Sequence, residues 1–204
     1  TKQFGYPVML KIGPEVNGNQ GPSQPGGSWI ADFGADPTAF KDAYQHIVDV
    51  FREEGVDNVV WCMSYNFESP GEYDFEHYYP GDSYVDWIGV DLYQISETDN
   101  PEQQISAFYT WAKTYHPNKP LGVTEWGVNW YGKNIPDQTR ANYINAFFDM
   151  IEAKPEIKFI RYHWNGPWRF QDDDPNDSTT YLPLTTTAYR NRIANPRYLS
   201  TASG

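Results

Sequence analysis

The chain has 204 residues, enough for one substantial core, and its 39% apolar and 21% charged residues are those of a soluble globular protein. A net charge of −12 opposes a nucleic-acid partner, since phosphate neutralisation needs clustered Lys and Arg, and no apolar run is long enough to span a membrane. The single cysteine, Cys62, excludes an intrachain disulfide framework and a Cys-based zinc cluster. Aromatic residues make up 17%, including eight Trp and sixteen Tyr. Such rings fill cores and also stack on sugars, so neutral polysaccharide is compatible with this composition.

In chain order, Tyr6–Ile12 reads as a strand leading into Gly13-Pro14-Glu15-Val16-Asn17-Gly18. A Gly-, Pro- and Ser-rich loop then runs to about Ser28, with Trp29 at its far end. Asp36-Pro37-Thr38 is a helix start, with Phe40, Tyr44, Ile47, Val48 and Phe51 at helical spacing until Gly55 stops it. Asn58–Met63 is the next strand, ending in Ser64-Tyr65-Asn66, and Cys62 within it reads as a small buried hydrophobe. A polar, aromatic loop from Phe67 to Ser83 precedes a buried strand at Trp87–Val90, closed by Asp91-Leu92-Tyr93. Asn100-Pro101 opens a helix with Ile105, Phe108, Trp111 and Ala112 inward, and His116-Pro117 ends it. Leu121–Thr124 is a short buried strand with Glu125 placed where it ends and Trp126-Gly127 beyond. Ile135-Pro136-Asp137 caps a helix through Ile151, and Ile157–Tyr162 is a further strand followed by His163-Trp164-Asn165-Gly166-Pro167-Trp168-Arg169. Asp172-Asp173-Asp174 reads as a solvated loop, with calcium binding as the alternative, and Leu184–Ile193 as a last short helix.

Strand, loop and helix in repetition predict an α/β fold with a parallel sheet and crossover helices. The longest and most aromatic loops follow strands rather than helices, which suits a (β/α)8 TIM-type barrel with its active face on those loops. A doubly wound sheet is the competing fold, but no Gly-rich phosphate loop follows any strand. About five strand–helix units are legible, where a closed barrel needs eight and typically about 250 residues. Residues 1–204 are therefore expected to form a single catalytic domain, the carboxyl part of a barrel covering roughly its fourth to eighth units. The amino-terminal part of that barrel would be supplied from elsewhere, and the start at Thr1 rather than Met reads as a processed or excised product.

Glu15 and Glu125 each follow a strand, and in a barrel both would lie at one rim. Paired carboxylates across a sugar cleft hydrolyse glycosidic bonds, one protonating the leaving oxygen while the other attacks the anomeric carbon or activates a water. The alternative is that each acid is structural and satisfied by neighbouring donors.

The segments GPEVNG, AYQHIVDVFREEGVDNVVW, SYN, YYPGDSYVDWIGVDLY, VTEWG and NGPWRF, in this order, resemble glycoside hydrolase family 26. That family holds many endo-β-mannanases, with related members acting on mixed-linkage β-glucan or β-1,3-xylan. The resemblance implies a retaining (β/α)8-barrel glycosidase with the acid/base after the fourth strand and the nucleophile ending the seventh, hence Glu15 and Glu125. It implies that Asp91 and Tyr93, both counted among the substrate-binding residues, stand for an Asp-x-Tyr whose Tyr hydrogen-bonds the nucleophile, and that Trp168-Arg169 lines the sugar subsite beside the cleaved bond. Trp126 and Trp164 are expected as further walls of the site, and Asn66 as another substrate contact. No cofactor or metal is implied; the partner is a polysaccharide or oligosaccharide, and the setting is extracellular. Pro14 stands where the family has His, and Gln20 lies near the place of a Trp that Trp29 would replace across the longer loop. The substrate thus stays open between β-mannan and β-glucan. The expected reaction is a double displacement, with Glu15 protonated near neutral pH and the two carboxyls roughly 5–5.5 Å apart. A non-catalytic carbohydrate-binding relative and an unrelated α/β protein are the alternatives.

Overall fold

A computed structural model describes residues 5–18, 36–69, 73–128, 135–164, 169–177 and 180–198. The strands are β1 (Val8–Lys11), β2 (Val59–Asn66), β3 (Trp87–Gln94), β4 (Leu121–Val128) and β5 (Ile157–Tyr162). The helices are α1 (Pro37–Glu53), α2 (Phe75–Tyr78), α3 (Pro101–Tyr115), α4 (Asp137–Ala153) and α5 (Pro183–Ile193). Gln20, Trp29 and Trp168 lie outside the described residues.

The strands stand in one sheet in the order β1-β2-β3-β4-β5. β1 and β2 pair parallel from Val8↔Val59 to Lys11↔Cys62, and β2 and β3 from Cys62↔Trp87 to Asn66↔Asp91. Sequential order is the singly wound arrangement of a barrel, whereas a doubly wound sheet reverses at a switch point. The competing fold is thereby removed. β2, β3 and β4 also run further than their apolar stretches suggest. Glu125 lies inside β4 rather than at its end, and Asn66, Asp91 and Tyr93 are likewise strand residues. Apolar side chains stop at the first polar residue, but a ladder is built from main-chain groups and continues past it.

The chain divides into two compact units: Thr1–Leu92, Ile105–Thr124 and Glu156–Arg161 form one, and Tyr93–Gln104, Glu125–Pro155 and Tyr162–Gly204 the other.

In the first unit, Asp36 caps α1 by accepting from the N–H groups of Thr38 at 3.0 Å and Ala39 at 3.1 Å. Phe40, Tyr44 and Val48 are its buried face. The helix ends in a Schellman motif: Gly55 is left-handed at φ 64°, its N–H donates to Arg52 O, and Val56 N–H donates to Phe51 O. The short α2 falls inside the stretch read as loop; Asp74 caps it by accepting from Glu76 and His77 N–H groups. Tyr65, Phe75, Phe108 and Trp111 form an aromatic core, with edge-on rings 5.2 Å apart between Tyr65 and Trp111. Buried His116 fastens this region through Asp82 at 3.2 Å from Nδ1 and Glu76 at 3.1 Å from Nε2. Cys62 is fully buried, and burial pushes its thiol up to about 12, which leaves it inert as a nucleophile. Gly122 permits a close approach, since a Cβ there would collide with the Phe159 ring.

In the second unit, Trp126 stacks on Phe147 at 3.8 Å and meets Phe148 and Tyr162 edge-on. Burial of side chains this large contributes about 1.5–3 kcal/mol each. The helix α4 opens at Asp137, within the Ile135-Pro136-Asp137 stretch expected to start it. Pro136 is the N-cap residue of α4 and makes no side-chain bond. Asp137 instead caps α5, accepting from Leu184 N–H and Thr185 N–H, both at 2.9 Å, and from Thr185 Oγ1 at 2.6 Å. The acidic run is tied to the fold by Arg190, which donates to Asp172 at 2.5 Å, and by a turn in which Asp174 accepts from Asn176 N–H.

Candidate active site

Glu125 projects from β4 with its side chain 21% exposed, buried enough to be held and open enough to be reached. The phenol of Tyr93, on β3, donates to its Oε2 at 2.7 Å. His163, one residue past β5, places Nδ1 3.4 Å from the same oxygen. Both partners are themselves fixed. Tyr93 O accepts from Gln104 Nε2 at 2.9 Å, and Gln104 Oε1 accepts from Tyr143 O–H at 2.6 Å. His163 N–H donates to Trp126 O at 2.8 Å. A carboxylate in this setting has its orientation set by the Tyr93 hydrogen bond, with the imidazole beside the same oxygen.

Glu15 lies in the turn after β1 and is left-handed at φ 59°, a conformation that costs a non-glycine residue roughly 1–2 kcal/mol. Its backbone is pinned on both sides. Glu15 N–H donates to Ser64 O at 3.1 Å, and Gly18 N–H to Glu15 O at 2.8 Å. The carboxyl accepts from Asn66 Nδ2 at 3.2 Å. Asn17, buried at 3% exposure, clamps Asn66 in turn. Its Nδ2 donates to Asn66 O at 2.9 Å and Glu68 O at 3.0 Å, while its Oδ1 accepts from Asn66 N–H at 2.8 Å. Asn66 Oδ1 accepts from Glu68 N–H at 2.8 Å. The Asn66 amide thus serves the Glu15 carboxyl and the following turn.

Asp91 and Trp126, both expected among the substrate-contacting residues, are buried in this structure. Asp91 is 1% exposed, with Lys11 Nζ 3.3 Å from Oδ2 and Thr124 Oγ1 donating to Oδ1. Trp126 is fully buried, because Glu125 and Trp126 are consecutive strand residues and alternate faces. Trp164 is 52% exposed, its ring 4.8 Å from Phe170, and Arg169 is exposed as well. Both are open to a ligand. Sequence reasoning did not single out Lys11, Asn17 or His163 as site residues. Lys11 closes β1 and His163 directly follows β5, and that position was the available signal, while Asn17 lies in the turn beyond β1. Among the described residues no group of three or more His, Cys, Asp or Glu side chains suits a metal ion. None of the described helices is long and apolar enough to cross a membrane.

The arrangement offers one carboxylate oriented by a phenol with an imidazole 3.4 Å away, and, in the other unit, one carboxyl oriented by an amide. Comparison with known proteins bears on what they do. Endoglucanase H of Acetivibrio thermocellus is 27% identical over 181 residues, which cover 82% of this chain and 19% of that protein. A mannan endo-1,4-beta-mannosidase of Bacillus subtilis is 28% identical over 131 residues, 63% of this chain and 30% of that one. Among solved structures, a beta-mannanase from Bacteroides ovatus matches with a TM-score of 0.63 at 20% identity, covering 95% of this chain and 52% of that chain. An endo-beta-1,4-mannanase from Cellulomonas fimi matches with a TM-score of 0.67 at 19% identity, covering 95% of this chain and 42% of that chain. The chain therefore spans about half or less of each of these proteins. The structural likeness shows the fold, a (β/α)8 barrel of which this chain carries five consecutive strand–helix units. The family profile described as glycosyl hydrolase family 26 matches residues 23–174, a span that contains Glu125, Tyr93 and His163 and begins after Glu15. With more than half of its length matched by that profile, the chain belongs to glycosyl hydrolase family 26.

Proposed function

We propose that this protein hydrolyses a β-linked polysaccharide, β-mannan or β-glucan, within the polymer chain and with retention of anomeric configuration. The observation that carries the reading is the 2.7 Å hydrogen bond from Tyr93 to the half-buried Glu125 carboxylate. It suits a nucleophile held in one orientation. Glu125 attacks the anomeric carbon, and the glycosidic C–O bond breaks as Glu15 gives its proton to the departing oxygen. Water then attacks the glycosyl-enzyme, Glu15 takes its proton, and the bonding electrons return to the Glu125 carboxylate. Asn66, clamped by Asn17, orients Glu15, while Trp164, Trp168 and Arg169 meet the sugar. The two curated relatives, an endoglucanase and a mannan endo-mannosidase, support keeping both polymers in the reading. A secreted setting follows from the size of the substrate, since a polymer does not cross a cell membrane.

The test is reducing-sugar release from β-mannan, glucomannan, mixed-linkage β-glucan and β-xylan, comparing the wild type with Glu125→Ala and Glu15→Ala. Release from one polymer, abolished in Glu125→Ala and reduced about 10²–10⁴-fold in Glu15→Ala, is the expected result. A first-formed product of inverted configuration would overturn the mechanism. A second reading, a glycan-binding relative without turnover, is favoured by the profile match beginning only after Glu15. Retention on a polysaccharide affinity gel with no release from any polymer is its signature.

A further inference from the structure

We infer that His163 is a positioning residue for Glu125, acting with Tyr93 to stabilise the carboxylate as it leaves the sugar in the second half of the reaction. The inference rests on the retaining reading above. Tyr93 O–H and His163 Nδ1 address one atom, Oε2, at 2.7 and 3.4 Å. They come from separate strand ends, and the two rings meet edge to face, 84° apart in plane. His163 is not carried on a free loop. Its own N–H is hydrogen-bonded to Trp126 O, one residue beyond Glu125. Its imidazole is 31% exposed, so solvent reaches the ring but one face belongs to the site.

The chemistry makes these donors unequal in the two steps. In the first step the carboxylate loses charge as its bond to the anomeric carbon forms, so donors to it gain nothing toward the transition state beyond orientation. In the second step that ester bond breaks, its electron pair returns to the carboxylate, and the water's proton goes to Glu15. Negative charge then develops on Glu125, and the phenol that already donates to Oε2 and the imidazole 3.4 Å from the same atom stabilise it. Removing one of them slows the second step and lets the glycosyl-enzyme accumulate, which lowers kcat and KM together.

The experiment uses His163→Phe, which keeps a ring against Tyr93, and His163→Asn, whose amide nitrogen replaces Nδ1. The substrate is a dinitrophenyl β-glycoside of the sugar released in the polymer panel, chosen because its first step is fast. His163→Phe is expected to lower kcat about tenfold while kcat/KM stays within about threefold, and His163→Asn to recover most of the loss. Unchanged kcat, or kcat and kcat/KM falling together, overturns the inference. A second readout does not need turnover: long-range ¹H–¹⁵N NMR of the wild type should find the proton on Nδ1, with a shift in Glu125→Ala. A proton on Nε2 alone, or no response to Glu125→Ala, also overturns it. Wild type inactive on every substrate overturns the retaining reading instead, and the NMR result then decides by itself whether His163 is partnered to Glu125.

Discussion

Replacing Asp91 by Asn removes a negative charge from a place where its partners cannot follow it into water. Asp91 is 1% exposed and Lys11 16%, their charged atoms lie 3.3 Å apart, and Thr124, itself 2.7 Å from Ser64 Oγ, donates to the second oxygen. Asn offers one acceptor where Asp had two, turns an NH₂ toward one of the donors, and removes the negative charge 3.3 Å from Lys11 Nζ. Breaking one side of a buried pair costs about 3–5 kcal/mol, and the residual exposure of Lys11 argues for the low end, about 3 kcal/mol. For a chain of this size that is a Tm lower by about 6–12 °C. Urea unfolding of Asp91→Asn, Lys11→Met and the double variant measures it, with the double variant more stable than the sum of the singles by at least about 1 kcal/mol. A loss under about 0.5 kcal/mol in Asp91→Asn, or strict additivity, would refute the structural role. Lost activity at unchanged stability would return Asp91 to the sugar.

Gly122→Ala drives a methyl group into the Phe159 ring and should cost about 1–3 kcal/mol, relieved in part by Phe159→Leu, as read by denaturant midpoint. Asp137→Ala removes the cap of α5 rather than that of its own helix and should cost about 1–2 kcal/mol. Hydrogen exchange should then quicken in residues 183–193 before it does in α4; an equal change in both would contradict the assignment. Hydrogen bonds from Lys113 and then Tyr109 hold the Glu156 carboxyl down at about 2, below its usual value of 4.5. A lowered folded-state value means that this stabilisation is complete above the ordinary carboxylate range and is lost as pH falls through about 2. The group is solvent-accessible, so the contribution is below about 1 kcal/mol. Glu156→Gln should flatten the acid limb of stability between pH 4.5 and 2, measured by thermal melts; an unchanged slope would contradict it.

Much of the fold was legible before any coordinates, and the reasons are local. Asp36-Pro37 and Gly55 bracket α1 because a carboxylate cap and a left-handed glycine act within a few residues of where they sit. The short α2 was missed because its apolar face is only Phe75 and Tyr78, too little to show a period. Asp137 opens α4, and nothing local marks that its side chain caps α5, 47 or more residues away. Trp126 was placed at the sugar beside Glu125, although strand alternation alone argues that neighbours point opposite ways. Asp91 carried no sequence mark to separate a buried counter-ion from a sugar ligand, since both are acids at a strand's polar end.

Legible in the residues alone were the succession of five strand–helix units and Glu15 and Glu125 as the acids to consider. Those rest on periodicity and composition, which every stretch of chain carries within itself. The Tyr93 bond to Glu125 was implied by the resemblance and is present, whereas the pairing of strands alone brings His163 to the same oxygen, Asn17 and Asn66 to Glu15, and Lys11 to Asp91. Asn17 and Asn66 are 49 residues apart and Lys11 and Asp91 are 80. Contacts over such spans exist because strands pair side by side, and no local pattern records which side chains that pairing brings within a hydrogen bond's length.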